Sequence, residues 1–399
     1  MAFLSHSPLP LPKSNENMQV GRVGLLSLGH LTNDMYVGFL PALLPLLIEK
    51  TGITLTAAAA LASTLSIFTS LAQPVFGYIA DRMRRPLPAA VGPPVTAVFF
   101  SLIGFAHSYG ALLICIICAG VGTAAFHPQA AVLAGKSSGR RSGLGMSIFV
   151  TGGNIGYYLG PVIIMAVITV WGAHRSYISV LPGLVVSLFL FKRLPRLPQT
   201  PRRAALSESV GFTAQARRIF LAVFLISVIR AFIISGFNTF VPIFLKQRQY
   251  EPMMYAAGLT IFGMPGSFGS LISGGLSDRF GRKQVLLISV AAALPFLFLF
   301  LKLKGTAALV CLGIGGFFIL ASIPVVIIIA QELLPGRINT ASSLVMGMSW
   351  GIGGLLVTPL GAVAEHCGLT AALTLLIACG GIACLLAFFL PETKRVLND

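Results

Sequence analysis

Twelve apolar stretches divide the chain, at residues 22–48, 55–80, 87–106, 109–134, 143–170, 176–192, 219–245, 253–277, 284–302, 306–333, 340–363 and 369–390. A helix needs roughly 20 mostly apolar residues to cross a bilayer core, and these stretches have about that length. The pattern predicts an all-α membrane protein with twelve transmembrane helices. The polar breaks are short except between the sixth and seventh stretches. There Lys192–Arg218 carries three prolines and seven basic residues, the composition of a solvated linker beside an anionic membrane surface.

The two halves repeat one another. Asp81 and Asp278 are 197 positions apart, as are Pro45 and Pro242, and Pro161 and Pro359 are 198 apart. A duplicated six-helix unit follows, giving two pseudo-symmetric bundles at 22–192 and 219–391. The linker 193–218 and the tails 1–21 and 392–399 lie outside the membrane. Parallel repeats of this kind place a substrate site between the halves, near the midplane.

Polar residues inside the apolar stretches are the candidate chemistry. The first stretch holds Ser27, His30, Asp34, Gly38 and Pro41 at helical offsets of three and four, with Asn33 beside the stripe. An ionisable group at membrane depth is expensive and normally faces a bundle interior or a wet cavity. Asp34 is therefore read as a carboxylate that loads and unloads a proton; the alternative is an acid near a helix end capping a turn. In the fifth stretch Ser147, Thr151, Asn154 and Tyr158 form a polar stripe, while Gly152, Gly156 and Gly160 offer close helix approach. The fourth stretch carries His127, read either as a packing residue or as a second proton carrier. Arg230 lies well inside the seventh stretch, on one stripe with Ser227 and Asn238. The repeat offset sets it opposite Asn33, so it is expected to meet Asp34 across the interface and to exchange that partner for an anion when Asp34 is protonated.

Composition narrows the function. The chain is 56% hydrophobic and only 10% charged, with a mean hydropathy of +0.89. Soluble domains carry about 25% charged residues, so a soluble enzyme is excluded. The net charge of +17 does not point to nucleic acid, because the cations sit in short clusters between apolar runs. With both termini cytoplasmic, only Lys50, Arg175, Lys246, Arg248, Lys302 and Lys304 fall on the outer side, and Arg230 falls within the membrane. The other 21 of the 28 cations are then cytoplasmic, which sets the topology. Five of the six cysteines lie in apolar runs, so neither a disulfide framework nor a redox site is expected. No metal-ligand spacing, phosphate loop or cofactor motif stands out, and the N-terminal tail has no signal-peptide pattern.

The repeated loop reads GYIADRMRR at 77–85 and GGLSDRFGRK at 274–283. In this form the chain resembles the major facilitator superfamily. The resemblance implies that Asp81 and Arg82, and Asp278, Arg279 and Arg282, tie the loops to neighbouring helix ends and hold one alternating-access state. The first copy departs from the pattern, with Arg84 at the usual glycine. Gly156, Gly160 and Pro161 match the G-x-x-x-G-P core seen in proton-coupled antiporters of that superfamily. The arginine such antiporters carry in the fourth segment is absent, with Ile116 in its place. SLGHLTND, FHPQAA, GLGMSIFVTGGNIG and IIIAQELLPGRINTAS are similar to the fosmidomycin-resistance branch, which implies proton-driven efflux of a small antimicrobial.

The expectation is an inner-membrane proton-coupled antiporter that works as a monomer, with no cofactor. Asp34, His127 and Glu332 are the candidate proton carriers, Glu332 alternatively pairing with Arg337. His30, Asn33, Thr151, Asn154, Tyr158, Arg230, Asn238 and Trp350 are the candidate substrate contacts, with Phe149 and Tyr157 as apolar walls. An uptake symporter for a small organic anion would use the same parts. A membrane-embedded enzyme would need a nucleophile–base or metal set, and none stands out.

Overall fold

The structure is a computed structural model and describes residues 17–80, 83, 86–194, 214–334, 341 and 344–391. Within these the chain is helical, in rods that follow the twelve apolar stretches. In the first half they are α1 (Val20–Val37), α2 (Phe39–Thr51), α3 (Leu55–Ser66), α4 (Gln73–Ala80), α5 (Leu87–Ser101), α6 (Tyr109–Ser137), α7 (Ser142–Trp171) and α8 (Val180–Arg193). In the second half they are α9 (Ala214–Gln247), α10 (Pro252–Phe280), α11 (Arg282–Lys302), α12 (Gly305–Leu333), α13 (Ser349–Leu355), α14 (Val357–Cys367) and α15 (Leu369–Phe389). Residues 81, 82, 84, 85, 195–213, 335–340, 342, 343 and the two ends, which include Asp81, Arg82, Arg84 and Arg337, lie outside the described residues.

Three membrane segments are broken where one continuous helix was expected. The first divides at Gly38 into α1 and α2. Pro41 has no N–H to give the carbonyl of Val37, so the helical ladder fails at that point. In the second segment a π-helical turn at Ile67–Leu71 separates α3 from α4, just ahead of Pro74. In the eleventh a π turn at Leu344–Met348 precedes α13, and a further break at Leu356 precedes α14. Such turns inside membrane helices leave backbone groups that survive only where protein or water satisfies them. All three breaks border the cavity described below.

Eleven of the rods are long and apolar enough to cross a membrane. The twelfth, α10, has the length at 29 residues, but six glycines and four serines dilute its hydropathy. Those small residues pack α10 closely against α12, as where Gly266 and Gly269 meet the backbones of Gly316 and Phe317. Bulky apolar side chains such as Leu188, Phe189 and Phe191 of α8, and Leu385 and Phe388 of α15, are exposed along the outside. That is the surface a lipid solvent requires.

The halves join at one end. Lys246, near the end of α9, pairs with Glu49 and donates to the carbonyl of Pro45 at 3.0 Å. The backbone N–H and hydroxyl of Thr56 both donate to Glu365 of α14, at 3.1 and 2.6 Å. Deeper in, Thr358 donates to Ser63 at 2.7 Å and Thr260 of α10 donates to the carbonyl of Tyr158 on α7 at 2.6 Å. The α3–α4 rod and α10 both start at this joined end and run away from it. The helix ends leading to Asp81 and Asp278 therefore share the opposite face.

This seal should have to open during a transport cycle. In a cysteine-free background, linking Thr56→Cys to Glu365→Cys with a short bifunctional reagent is expected to abolish transport, with activity returning when a cleavable linker is reduced. Undiminished transport by the fully linked protein would show that these ends do not separate.

Candidate functional site

The site begins with how closely α1 lies on α7. Built at Gly152, Gly156 or Gly160, a Cβ atom would collide with the backbone of Ser27, Leu31 or Met35 respectively. The three contacts advance four residues at a time on both helices, so the two rods run parallel in continuous contact. One built at Gly38 would strike the carbonyl of Tyr157. The glycine spacing in the fifth segment is thus the footprint of the helix that carries Asp34.

That packing assembles a three-residue polar cluster. Asp34 lies 3.1 Å from His30 Nε2 and 3.2 Å from His127 Nε2, and the two Nε2 atoms are 3.1 Å apart. The far nitrogen of each ring is held by a backbone carbonyl, His30 Nδ1 by Phe149 and His127 Nδ1 by Thr123, both at 2.8 Å. Asn33, fully buried, donates its amide to Asp34 at 3.0 Å. The Phe149 ring stacks on His30 with centroids 4.2 Å apart. The three ligand atoms lie within 4.8 Å of one another, so a single cation reaches all of them. A search for metal-ligand spacing missed this grouping because His127 is 97 positions from His30.

Asp34 also lines a cavity of roughly 210 Å³ between the halves. Asn154, Tyr157 and Tyr158 of α7, Ser235, Asn238 and Thr239 of α9, Ser66 and Trp350 complete its polar and aromatic wall. Of the substrate contacts expected from sequence, Asn154, Tyr158, Asn238 and Trp350 meet here with Asp34. His30 and Asn33 are committed to Asp34 instead, and Thr151, half-buried on α7, is not part of the wall. Phe149 packs on His30 rather than lining the cavity. Ser66, Ser235 and Thr239 were not anticipated; Ser66 stands immediately before the π turn, and only that break signals it.

Arg230 departs from expectation. It does not pair with Asp34, and among the described residues no carboxylate lies within ion-pair distance. Its guanidinium rests against the ring of Trp350, 5.5 Å from the centroid. It is 1% exposed, and its Nε and Nη1 have no hydrogen-bond partner. The repeat offset set it beside Asp34 only in register; the two histidines occupy the space around the carboxylate. The expected exchange of Asp34 for an anion on Arg230 therefore loses its premise.

Glu332 is also reassigned. It accepts from Arg282 at 3.0 and 3.1 Å, and Arg282 reaches Asp278 at 2.6 Å and Ser277 at 2.6 Å. Arg282 thus ties the end of α10 to the end of α12, away from the cavity, and Glu332 belongs to that clamp. Gly281 has φ of 101°, a conformation L side chains rarely adopt, which is why this copy of the loop needs glycine. Arg279 lies over the exposed ring of Phe280.

Broken apolar helices around a cavity between two halves, with charged side chains buried among them, are the build of a multi-pass membrane transporter. The chain belongs to the Major Facilitator Superfamily, whose family model matches residues 26–358. It is 30% identical to the fosmidomycin resistance protein of Escherichia coli (strain K12) over 355 residues, 87% of each chain. It is 27% identical to the uncharacterized MFS-type transporter YfnC of Bacillus subtilis (strain 168) over 93% of each. Among solved structures it is similar in fold to the nucleoside transporter NupG, with a TM-score of 0.74 at 18% identity over 92% of this chain and 98% of that one.

The glycine contacts make a direct test. Gly156→Ala or Gly160→Ala forces α1 off α7, and overpacking of this kind costs about 1–3 kcal/mol. Both variants are expected to melt several degrees lower in detergent, whereas Gly381→Ala on α15, with open space at its Cβ position, should not. Equal melting temperatures would mean that the contact is not tight.

Proposed function

We propose that this protein is a proton-coupled exporter of a small polar or anionic antimicrobial compound, residing in the inner membrane with both termini cytoplasmic. The observation that carries this reading is a titratable carboxylate lining a cavity between the halves, with the unpaired guanidinium of Arg230 buried behind Trp350 of the cavity wall. The similarity to a fosmidomycin resistance protein supports efflux, and the basic bias of the loops supports the orientation. On that orientation the sealed face is the outer one, and the state described is closed to the outside.

A proton can drive export only if proton and substrate exclude one another. Asp34 offers that competition directly: ionised, it accepts charge-assisted hydrogen bonds through both oxygens; protonated, it turns one oxygen into a donor and loses the charge that strengthens the bond. Asn154, Tyr158 and Asn238 supply neutral hydrogen bonds, and Trp350 a flat apolar contact. An acidic group on the substrate would be drawn toward Arg230, which lies behind Trp350 of the cavity wall. Charge-assisted bonds to a guanidinium are the strong class of such contacts. The cavity's size limits the occupant to a small molecule.

In proteoliposomes, Asp34→Asn is expected to abolish uptake driven by an imposed pH gradient while leaving substrate counterflow measurable. Retention of wild-type pH-driven transport would remove Asp34 from the coupling.

Arg230→Met should lower affinity for a phosphonate or carboxylate compound on the order of 10–100-fold, the loss of one or two charge-assisted hydrogen bonds. It should not lower thermal stability, because an apolar side chain replaces an unpaired buried charge. Arg230→Lys should keep part of the affinity, retaining charge without the planar fork. A fall in melting temperature with unchanged anion affinity would make Arg230 structural.

A further inference from the structure

The donor and acceptor pattern of the His30–Asp34–His127 cluster says more than that Asp34 titrates. A carbonyl oxygen only accepts, so each Nδ1, at 2.8 Å from the carbonyl of Phe149 or Thr123, carries a hydrogen. In a neutral imidazole the other nitrogen is then bare. Both Nε2 atoms would present lone pairs to each other at 3.1 Å and to the Asp34 carboxylate at 3.1 and 3.2 Å. Three acceptors at hydrogen-bond distance with no donor between them repel. The single side-chain donor supplied by the described residues is Asn33, and it serves only Asp34.

We propose that this cluster retains one resident proton shared by the facing Nε2 atoms, and that the transport cycle runs between one and two protons on the three-residue unit. This rests on the reading of the protein as proton-coupled and replaces a lone Asp34 as the carrier. With one proton, an imidazolium donates toward Asp34 and the other ring, and the cluster is neutral. With the second, both Nε2 atoms donate to the Asp34 carboxylate, one to each oxygen, and the cluster carries one positive charge.

Exposure assigns the roles. The His30 side chain is 8% exposed, shut in by the rings of Phe126 and Phe149, whereas His127 and Asp34 are 21% and 18% exposed. The cycling proton therefore arrives on the His127–Asp34 side. The groups facing the cluster are few. On α1 they are His30, Asp34 and Asn33, on α6 His127, and on α7 the phenol of Tyr157, which faces Asp34. Arg230 of α9 is outside ion-pair distance. The cluster ties α1 to α6 and to the Phe149 backbone of α7, so its proton count bears on the packing of all three helices.

A divalent metal ion would satisfy the same lone pairs. The 3.1 Å between the nitrogens is the length of an N–H···N bond, and a metal ion is one of the outcomes of the test.

The test is nitrogen NMR on the full-length protein in lipid nanodiscs, with ¹⁵N-labelled histidine and signals assigned through His30→Gln and His127→Gln. At about pH 8, where a free imidazole is neutral, both rings should show protonated Nδ1, and one of the pair should remain cationic. Asp34→Asn should abolish that cationic signal, and each single histidine variant should move the midpoint of the transport pH profile by at least one unit. Two neutral rings at that pH, or a protonated Nε2 on a neutral ring of either histidine, would overturn the shared proton. So would stoichiometric zinc in the purified protein with histidine signals that change on its removal. Because the NMR signals do not depend on transport, these results are separable from a failure of proton coupling itself.

Discussion

A carboxylate inside a membrane has to be neutralised or solvated by protein, and the placement of Asp34 is the constraint on which this structure turns. Its neighbours are chosen accordingly: an amide from Asn33, two imidazoles, and a cavity wall on the remaining side. None of this assembles unless α1 lies directly on α7 and beside α6. The row of glycines facing Ser27, Leu31 and Met35 is what allows it. Packing made of small residues is the means by which membrane helices approach closely without a hydrophobic driving force. Here it brings Phe149 and its carbonyl within reach of His30.

The two halves share an architecture and divide the electrostatics. The first half holds an acid with two bases, internally matched. The second half holds Arg230, buried against Trp350 and unmatched. The asymmetry leaves the cavity bordered by Asp34 on one side and by Trp350, with Arg230 behind it, on the other. The repeated loop behaves differently again. Arg282 is spent on Asp278 and Glu332 at a helix end, a clamp inside one half that leaves the cavity chemistry untouched.

Much of the fold was legible in the chain. Segment lengths and hydropathy give the rods, because a bilayer imposes length and apolarity on whatever crosses it. The 197-residue offset gives the duplication, and the intramembrane polar residues mark Asp34, His127 and Arg230, because burying such groups is too costly to be incidental. The glycine ladder of the fifth segment was visible as a pattern, though its partner helix was not.

Partnership was decided only in three dimensions. Register between repeats suggested Asp34 with Arg230, but side chains meet according to helix rotation and packing. A rotation that faces His30 and Asp34 toward α6 gives the carboxylate to His127 instead. Glu332 went to Arg282 for the same reason, since two helix ends happen to converge. The break at Gly38 and the π turn ahead of Pro74 lie beside prolines that sequence locates, yet whether a proline kinks, splits or merely strains a helix is settled by the neighbours available to its freed carbonyl. A linear chain names its costly groups; the tertiary structure alone determines which of them neutralise each other and which is left unpaired.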